Sequence, residues 1–233
     1  NIRIFSNKII LYSLPLTNKY SNKIYNKKIK FEKILDVTND SFYTAIIDYK
    51  GKLILGLASN KIYENINKID FNKINKNLNN NTKIILDLCF NKNLVHKIIK
   101  YYYNKKIKIY IAGTSLYKIY RIRNSLKLIS ALCLNEDEVF MLTNKKTINE
   151  SIKYILNKNK EINLVITRGK KSAIMILNQI KYEGIIPKIN IKNENGAGDA
   201  FSSMFFLTLN KEFDPSSILS LSITSGCLKA MDF

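Results

Sequence analysis

Between Lys83 and Thr167 the chain alternates short apolar runs with longer amphipathic ones, and that alternation leaves few folds open. The apolar runs predict strands at Lys83–Leu88, Ile107–Ala112, Ala131–Leu134 and Asn163–Thr167. Helical spacing predicts helices over Asn93–Tyr103, Ser115–Leu128 and Ile148–Leu156, the last with Ile148, Ile152, Ile155 and Leu156 on one face. Short apolar strands, each followed by a helix, predict an α/β fold in three layers: a doubly wound, mainly parallel sheet covered by helices on both faces. Ligands of such sheets lie at the carboxyl ends of the strands. A hairpin over Ser41–Ser59, turning at Tyr49-Lys50-Gly51, precedes this pattern, with Tyr43, Ala45, Ile47 and then Leu53, Leu55, Leu57 alternating. A βαβ sheet has no need of it, which makes it an edge or a lid. The Asn/Lys-rich stretch Asn65–Lys83 predicts a helix followed by a surface insertion. A second hairpin spans Ala173–Gly184, and helices begin at Asp199 and Pro215.

A chain of 233 residues, 46% hydrophobic, can bury one sizeable core and is not disordered. No apolar run approaches the roughly 18–20 residues that cross a bilayer, so no membrane span is expected. The sequence starts at Asn1 without a basic-then-apolar leader, which reads as one truncated domain over 1–233. Cys89, Cys133 and Cys227 stand far apart in apolar surroundings, the pattern of buried thiols in a reducing, cytoplasmic setting. His96, the single histidine, has no nucleophile beside it and reads as structural. The formal charge of +20 raises the question of nucleic acid. Against it, the only arginines are Arg3, Arg121, Arg123 and Arg168, and the lysines are dispersed among Asn and Ile. The charge therefore reads as a solvated surface that favours small anionic ligands such as nucleotides.

The chemistry concentrates in Asn195-Gly196-Ala197-Gly198-Asp199-Ala200-Phe201, directly before an apolar helix with Ala200, Phe201, Met204, Phe205 and Thr208 on one face. Gly196, Ala197 and Gly198 let backbone N–H groups approach an anion closely, and a helix N-terminus adds partial positive charge. Asp199 in the first turn is placed to take a proton from an attacking hydroxyl. The same residues also describe a plain glycine turn with an Asp helix cap. Asn135-Glu136-Asp137-Glu138 after a strand has two readings as well: a capping box closed by Asn135 and Glu138, or oxygen ligands for a hydrated magnesium ion.

Gly-Ala-Gly-Asp before an apolar aromatic resembles the C-terminal signature of the ribokinase-like (PfkB) sugar and nucleoside kinases. The resemblance implies that Asp199 is the catalytic base and that Gly196, Ala197 and Gly198 form the anion hole. Asn135 and Glu138 match the family's Asn-x-x-Glu motif, implying a role for Asn135 at the ATP phosphates and for Glu138 in ordering Mg2+ through water. Val165-Ile166-Thr167-Arg168-Gly169 is similar to the Thr-x-Gly nucleotide turn, which assigns Thr167 and Gly169 to ATP. The segment Ser41–Asp48 with Gly51 resembles lid strands that cover the sugar, so 41–59 is part of a β-lid, excluding water from the reaction.

Within the family the lid and Thr114-Ser115-Leu116-Tyr117-Lys118 are most similar to pseudouridine kinases. The implied function is ATP-dependent phosphorylation of a sugar or nucleoside hydroxyl, the 5′-hydroxyl of pseudouridine foremost. Other acceptors (ribose, fructose phosphate, adenosine) and a non-catalytic nucleotide-binding relative remain alternatives. The implied partners are that small molecule and, within a homodimer, a second copy. Four departures stand out. Asn193-Glu194 replaces an Asp-Thr pair, which counts against activation by a monovalent cation. Ala112-Gly113 stands where Asp-Pro is common, and Ser172 where a Gly is frequent. No Gly-Gly-Asn segment for the sugar is found.

Overall fold

The computed structural model describes residues 10–13, 30–33, 42–47, 53–59, 61–209, 211 and 213–231. Two small sheets come first: β1 (Ile10–Ser13) parallel to β2 (Lys30–Lys33), and β3 (Phe42–Ile47) antiparallel to β4 (Leu53–Ser59). The expected turn at Tyr49-Lys50-Gly51 lies outside the described residues. Several of the described side chains of the hairpin are exposed. Ile54 is exposed on one side, and Leu55 and Leu57 on the other.

The main sheet has six strands: β5 (Lys83–Ile85), β6 (Lys108–Ala112), β7 (Ala131–Asn135), β8 (Asn163–Thr167), β9 (Ser172–Leu177) and β10 (Ile180–Ile185). They lie side by side in chain order, β5 to β8 parallel and β9 and β10 antiparallel. Short helices α1 (Lys61–Glu64) and α2 (Phe71–Asn75) precede the sheet. Between its strands run α3 (Lys92–Asn104), a 3-10 helix (Ile119–Leu128), α4 (Glu136–Thr143) and α5 (Ile148–Lys158). Each crossover advances the sheet in the same direction, so these helices share one face. After the antiparallel strands, α6 (Ala197–Thr208) and α7 (Pro215–Met231) cover the other face.

The central strands are buried on both sides, as covered parallel sheets require. Along β7, Leu132 and Leu134 join the core under α3, α4 and α5, while Ala131 and Cys133 join the core under α6 and α7. Helix α3 buries Leu94, Val95, Ile98, Ile99 and Tyr102, a 3.6-residue stripe, and Asn91 caps it by accepting from Leu94 N–H at 3.0 Å.

The structure corrects several sequence expectations. The helix placed over Ser115–Leu128 is a 3-10 helix starting at Ile119. Ile119, Ile122 and Ser125 are all fully buried, and their spacing of three suits a helix with three residues per turn. The strand placed over Lys83–Leu88 ends at Ile85, which is half exposed at the edge of the sheet, while Leu86 and Leu88 are buried in the loop beyond it. In Asn65–Lys83 the helix shrinks to five residues, started by Asp70 accepting from Asn72 and Lys73 N–H. On α6, Phe206 is buried and Met204 is not, because the helix is packed between the sheet and α7 and Phe206 leans on Tyr110. The three thiols are free, but only Cys133 is buried; Cys89 and Cys227 are partly exposed. His96 keeps a structural role, its Nδ1 2.8 Å from the hydroxyl of buried Ser125.

Candidate active site

The carboxyl ends of β5 to β8 and the start of α6 carry the residues singled out above. Gly196 precedes α6 with φ at +82°, a left-handed conformation that favours glycine. No side chain caps α6, whereas Asn91, Asn135 and Thr147 cap α3, α4 and α5. Ala197 N–H turns back to Glu194 C=O at 3.3 Å. A Cβ on Gly198 would meet nothing within 4 Å, so that position faces open space. Helix α7 holds this turn from behind. Ala230 C=O accepts from Lys192 and Asn193 N–H at 2.9 and 3.1 Å, and a Cβ on Gly226 would lie 3.3 Å from Ala197 O.

Asp199 reaches solvent on the first turn of α6. The protein around it pushes its carboxyl above the usual range, and the charge of Asp87 adds to the effect. Asp87 follows β5 and was missed by the sequence reading. Its signal was an acid directly after Ile84-Ile85-Leu86, at the carboxyl end of a strand. Its Oδ1 accepts from Cys89 N–H at 2.6 Å. The loop is clamped by Arg121 of the 3-10 helix, whose Nη1 donates to the carbonyls of Leu88, Cys89 and Phe90 at 2.7, 3.0 and 2.6 Å. Its Nη2 donates to Glu64 at 2.8 Å.

Asn135 and Glu138 form the capping box of α4. Asn135 Oδ1 accepts from Glu138 N–H at 2.8 Å, and Glu138 Oε2 accepts from Asn135 N–H at 2.9 Å. Glu138 is buried, and burial pushes its carboxyl up against the lowering effect of the Asn135 N–H. The Cys133 thiol is pushed up by burial and by the charges of Glu138 and then Asp199, which sets both carboxylates around the end of β7. Thr167 pairs with Asn135 in the register of β7 and β8, so the two motifs share a rung of the sheet. Gly169 follows at φ +58°, and Lys171 beyond it pairs with Glu136 at 3.2 Å. Ser172, where the family often has glycine, accepts from Arg168 Nε at 3.1 Å and donates to Glu183 at 2.8 Å, tying this turn to β10.

Among the described residues Asp87, Glu138 and Asp199 have no Lys or Arg within ion-pair distance. No three His, Cys, Asp or Glu described here converge closely enough to hold a metal ion alone. A hard cation that keeps most of its water and leans on phosphate fits such a donor set; a protein cage does not.

The chain belongs to the pfkB family of carbohydrate kinases, whose family model matches residues 28–229. Solved structures of low identity share the fold. A carbohydrate kinase from Agrobacterium tumefaciens aligns with TM-score 0.77 at 15% identity, covering 97% of this chain and 75% of that one. An adenosine kinase from Schistosoma mansoni in complex with 2-fluoroadenosine aligns at 0.73 and 13% identity, covering 100% and 77%. A nucleoside kinase from Burkholderia thailandensis in complex with inosine aligns at 0.73 and 14%, covering 98% and 76%. No curated protein matches the sequence. Among the described residues no helix is long and apolar enough to cross a membrane.

Proposed function

We propose that this protein transfers the γ-phosphoryl group of Mg-ATP to a primary hydroxyl of a nucleoside or sugar, with Asp199 as base. The observation that carries this reading is the uncapped N-terminus of α6, opened by left-handed Gly196 and bearing Asp199 on its first turn. Asp199 accepts the hydroxyl proton as the oxygen–phosphorus bond forms and the bond to the β-phosphate oxygen breaks, releasing ADP. The Gly196–Gly198 backbone and the helix dipole hold the negative charge of the phosphoryl oxygens. Asn135, Thr167 and Gly169 would line the nucleotide side, and Glu138 would help to order the water of a bound magnesium ion. That ion neutralises charge on the phosphates when bound. The hairpin within 41–59 serves as part of a lid over the acceptor, in a single kinase domain.

Pseudouridine is the acceptor we favour, on the resemblance of the hairpin and of Thr114–Lys118 to the corresponding segments of pseudouridine kinases. The nucleosides in two structural relatives support an acceptor of that size. Assaying the intact protein with Mg-ATP against pseudouridine, uridine, adenosine, inosine, ribose and fructose 6-phosphate tests this. Highest kcat/KM for any acceptor other than pseudouridine removes the finer assignment, and no transfer to any of them removes the kinase reading.

The raised carboxyl of Asp199 gives a pH prediction. A base works deprotonated, so kcat/KM falls on the acid side at a higher pH than an unperturbed aspartate would give. Asp87→Asn removes a neighbouring negative charge, which lets Asp199 ionise more easily and moves the acid limb to lower pH. An acid limb that stays in place in Asp87→Asn would show that the two carboxylates do not interact.

A further inference from the structure

The turn that opens α6 has a lysine laid against it. A Cβ on Gly196 would stand 3.3 Å from Lys229 Cε and 3.9 Å from its Cγ, so the aliphatic stem of Lys229 covers that glycine. The ammonium nitrogen is one bond beyond Cε. Lys229 is half-buried on the last turn of α7, and its neighbours fix it there. Ala230 C=O accepts from Lys192 and Asn193 N–H, and Gly226, three residues before Lys229, packs under Ala197 C=O. Residues three and four apart share a helix face, so one stripe of α7 backs the chain from Lys192 to Ala197.

The same stretch is poorly furnished for a metal cation. Asn193 stands where the family usually has Asp; it is neutral, and its Oδ1 accepts from Asn195 N–H at 2.9 Å. The Ala230 carbonyl is engaged by two N–H groups, and the Glu194 carbonyl takes Ala197 N–H while its side chain lies out in solvent. An ammonium already at the turn repels a second cation. These residues do not fit a monovalent ion.

We propose that Lys229 supplies, from the chain itself, the fixed positive charge that faces the phosphates at the α6 turn, and that no monovalent cation is needed there. The helix end offers about half an elementary charge, and a full ammonium beside it strengthens the field felt by the transferred phosphoryl oxygens. The part of Lys229 in transfer rests on the kinase reading. Its part in anion binding does not.

Lys229→Met keeps most of the stem and removes the charge, whereas Lys229→Arg keeps the charge. Each intact protein is compared with the parent by melting temperature, by affinity for inorganic tripolyphosphate, and by transfer kinetics with Mg-ATP. The kinetics are run in potassium chloride and in tetramethylammonium chloride at equal ionic strength. Lys229→Met is expected to lose on the order of 10² in kcat, the lower end for a missing donor at a developing charge, with KM for the acceptor unchanged. Its tripolyphosphate affinity falls by on the order of tenfold, the worth of one hydrogen bond to a charged group. Lys229→Arg recovers most of both losses, and potassium does not change the parent's rate. A purely structural lysine would move the melting temperature alone. Lys229→Met that transfers and binds like the parent, Lys229→Arg no better than Lys229→Met, or a parent that speeds up in potassium would each overturn the proposal. If Lys229→Met does not fold, Lys229→Gln takes its place; failure of both to fold makes the lysine structural and overturns the proposal too. If the parent transfers to no acceptor, the kinase reading fails by itself, and tripolyphosphate binding still decides whether Lys229 serves an anion at this turn.

Discussion

Asp199→Asn is expected to cut turnover by on the order of 10²–10⁴, the range a positioned general base contributes, while nucleotide binding survives. Asparagine keeps the shape and hydrogen-bonding reach of the side chain but cannot take the proton. The turn before it is unaffected, since Gly196 has its own left-handed backbone and the carbonyl of Ala230 holds the chain leading into it at Lys192 and Asn193. The measurements are steady-state rates with the preferred acceptor and a direct titration of Mg-ATP binding. A variant that turns over normally deprives Asp199 of its central role. One that has lost nucleotide binding as well shows that the side chain shapes the phosphate turn itself.

The second large effect is on stability. Arg121→Ala is expected to cost roughly 3–5 kcal/mol, because carbonyls in the loop after β5 lose a charged donor and some are left buried. The guanidinium is almost wholly buried and donates to three successive carbonyls. Its partner Glu64 is substantially exposed, so that ion pair accounts for little of the total. Arg121→Lys should recover only part of the loss, since an ammonium cannot reproduce the planar fork. Denaturant unfolding at constant m-value measures the change, and a loss below about 1 kcal/mol would mean that the loop repacks without its clamp. The clamped loop carries Asp87, so residual activity of these variants reports on the surroundings of Asp199 as well.

The parts of this fold that were readable from sequence are those governed by repetition. Buried strands such as Asn163–Thr167 announce themselves by unbroken apolar runs, and the helix over Ile148–Lys158 by the spacing of Ile148, Ile152 and Ile155. The glycines at 196 and 169 were legible through the motifs they belong to, and both take a left-handed backbone. What escaped was whatever depends on a partner distant in sequence. The 3-10 helix differs from an α-helix only in a spacing of three, and that spacing competes with Tyr120 and Arg123 in the same stretch. Asp87 has no motif of its own, and it matters because its charge is felt at Asp199, more than a hundred residues further along the chain. Gly113 looked like a departure from the family, yet in space the carboxyl of Glu138, distant in sequence, lies where a side chain at 113 would be.

The order of the strands has a consequence for how the molecule is made. Because β5 to β10 lie side by side as they occur along the polypeptide, each strand leaving the ribosome finds its neighbour already laid down. The proposed base arrives only with α6, after the last strand of the sheet. A nascent chain therefore completes its sheet before it acquires the proposed base.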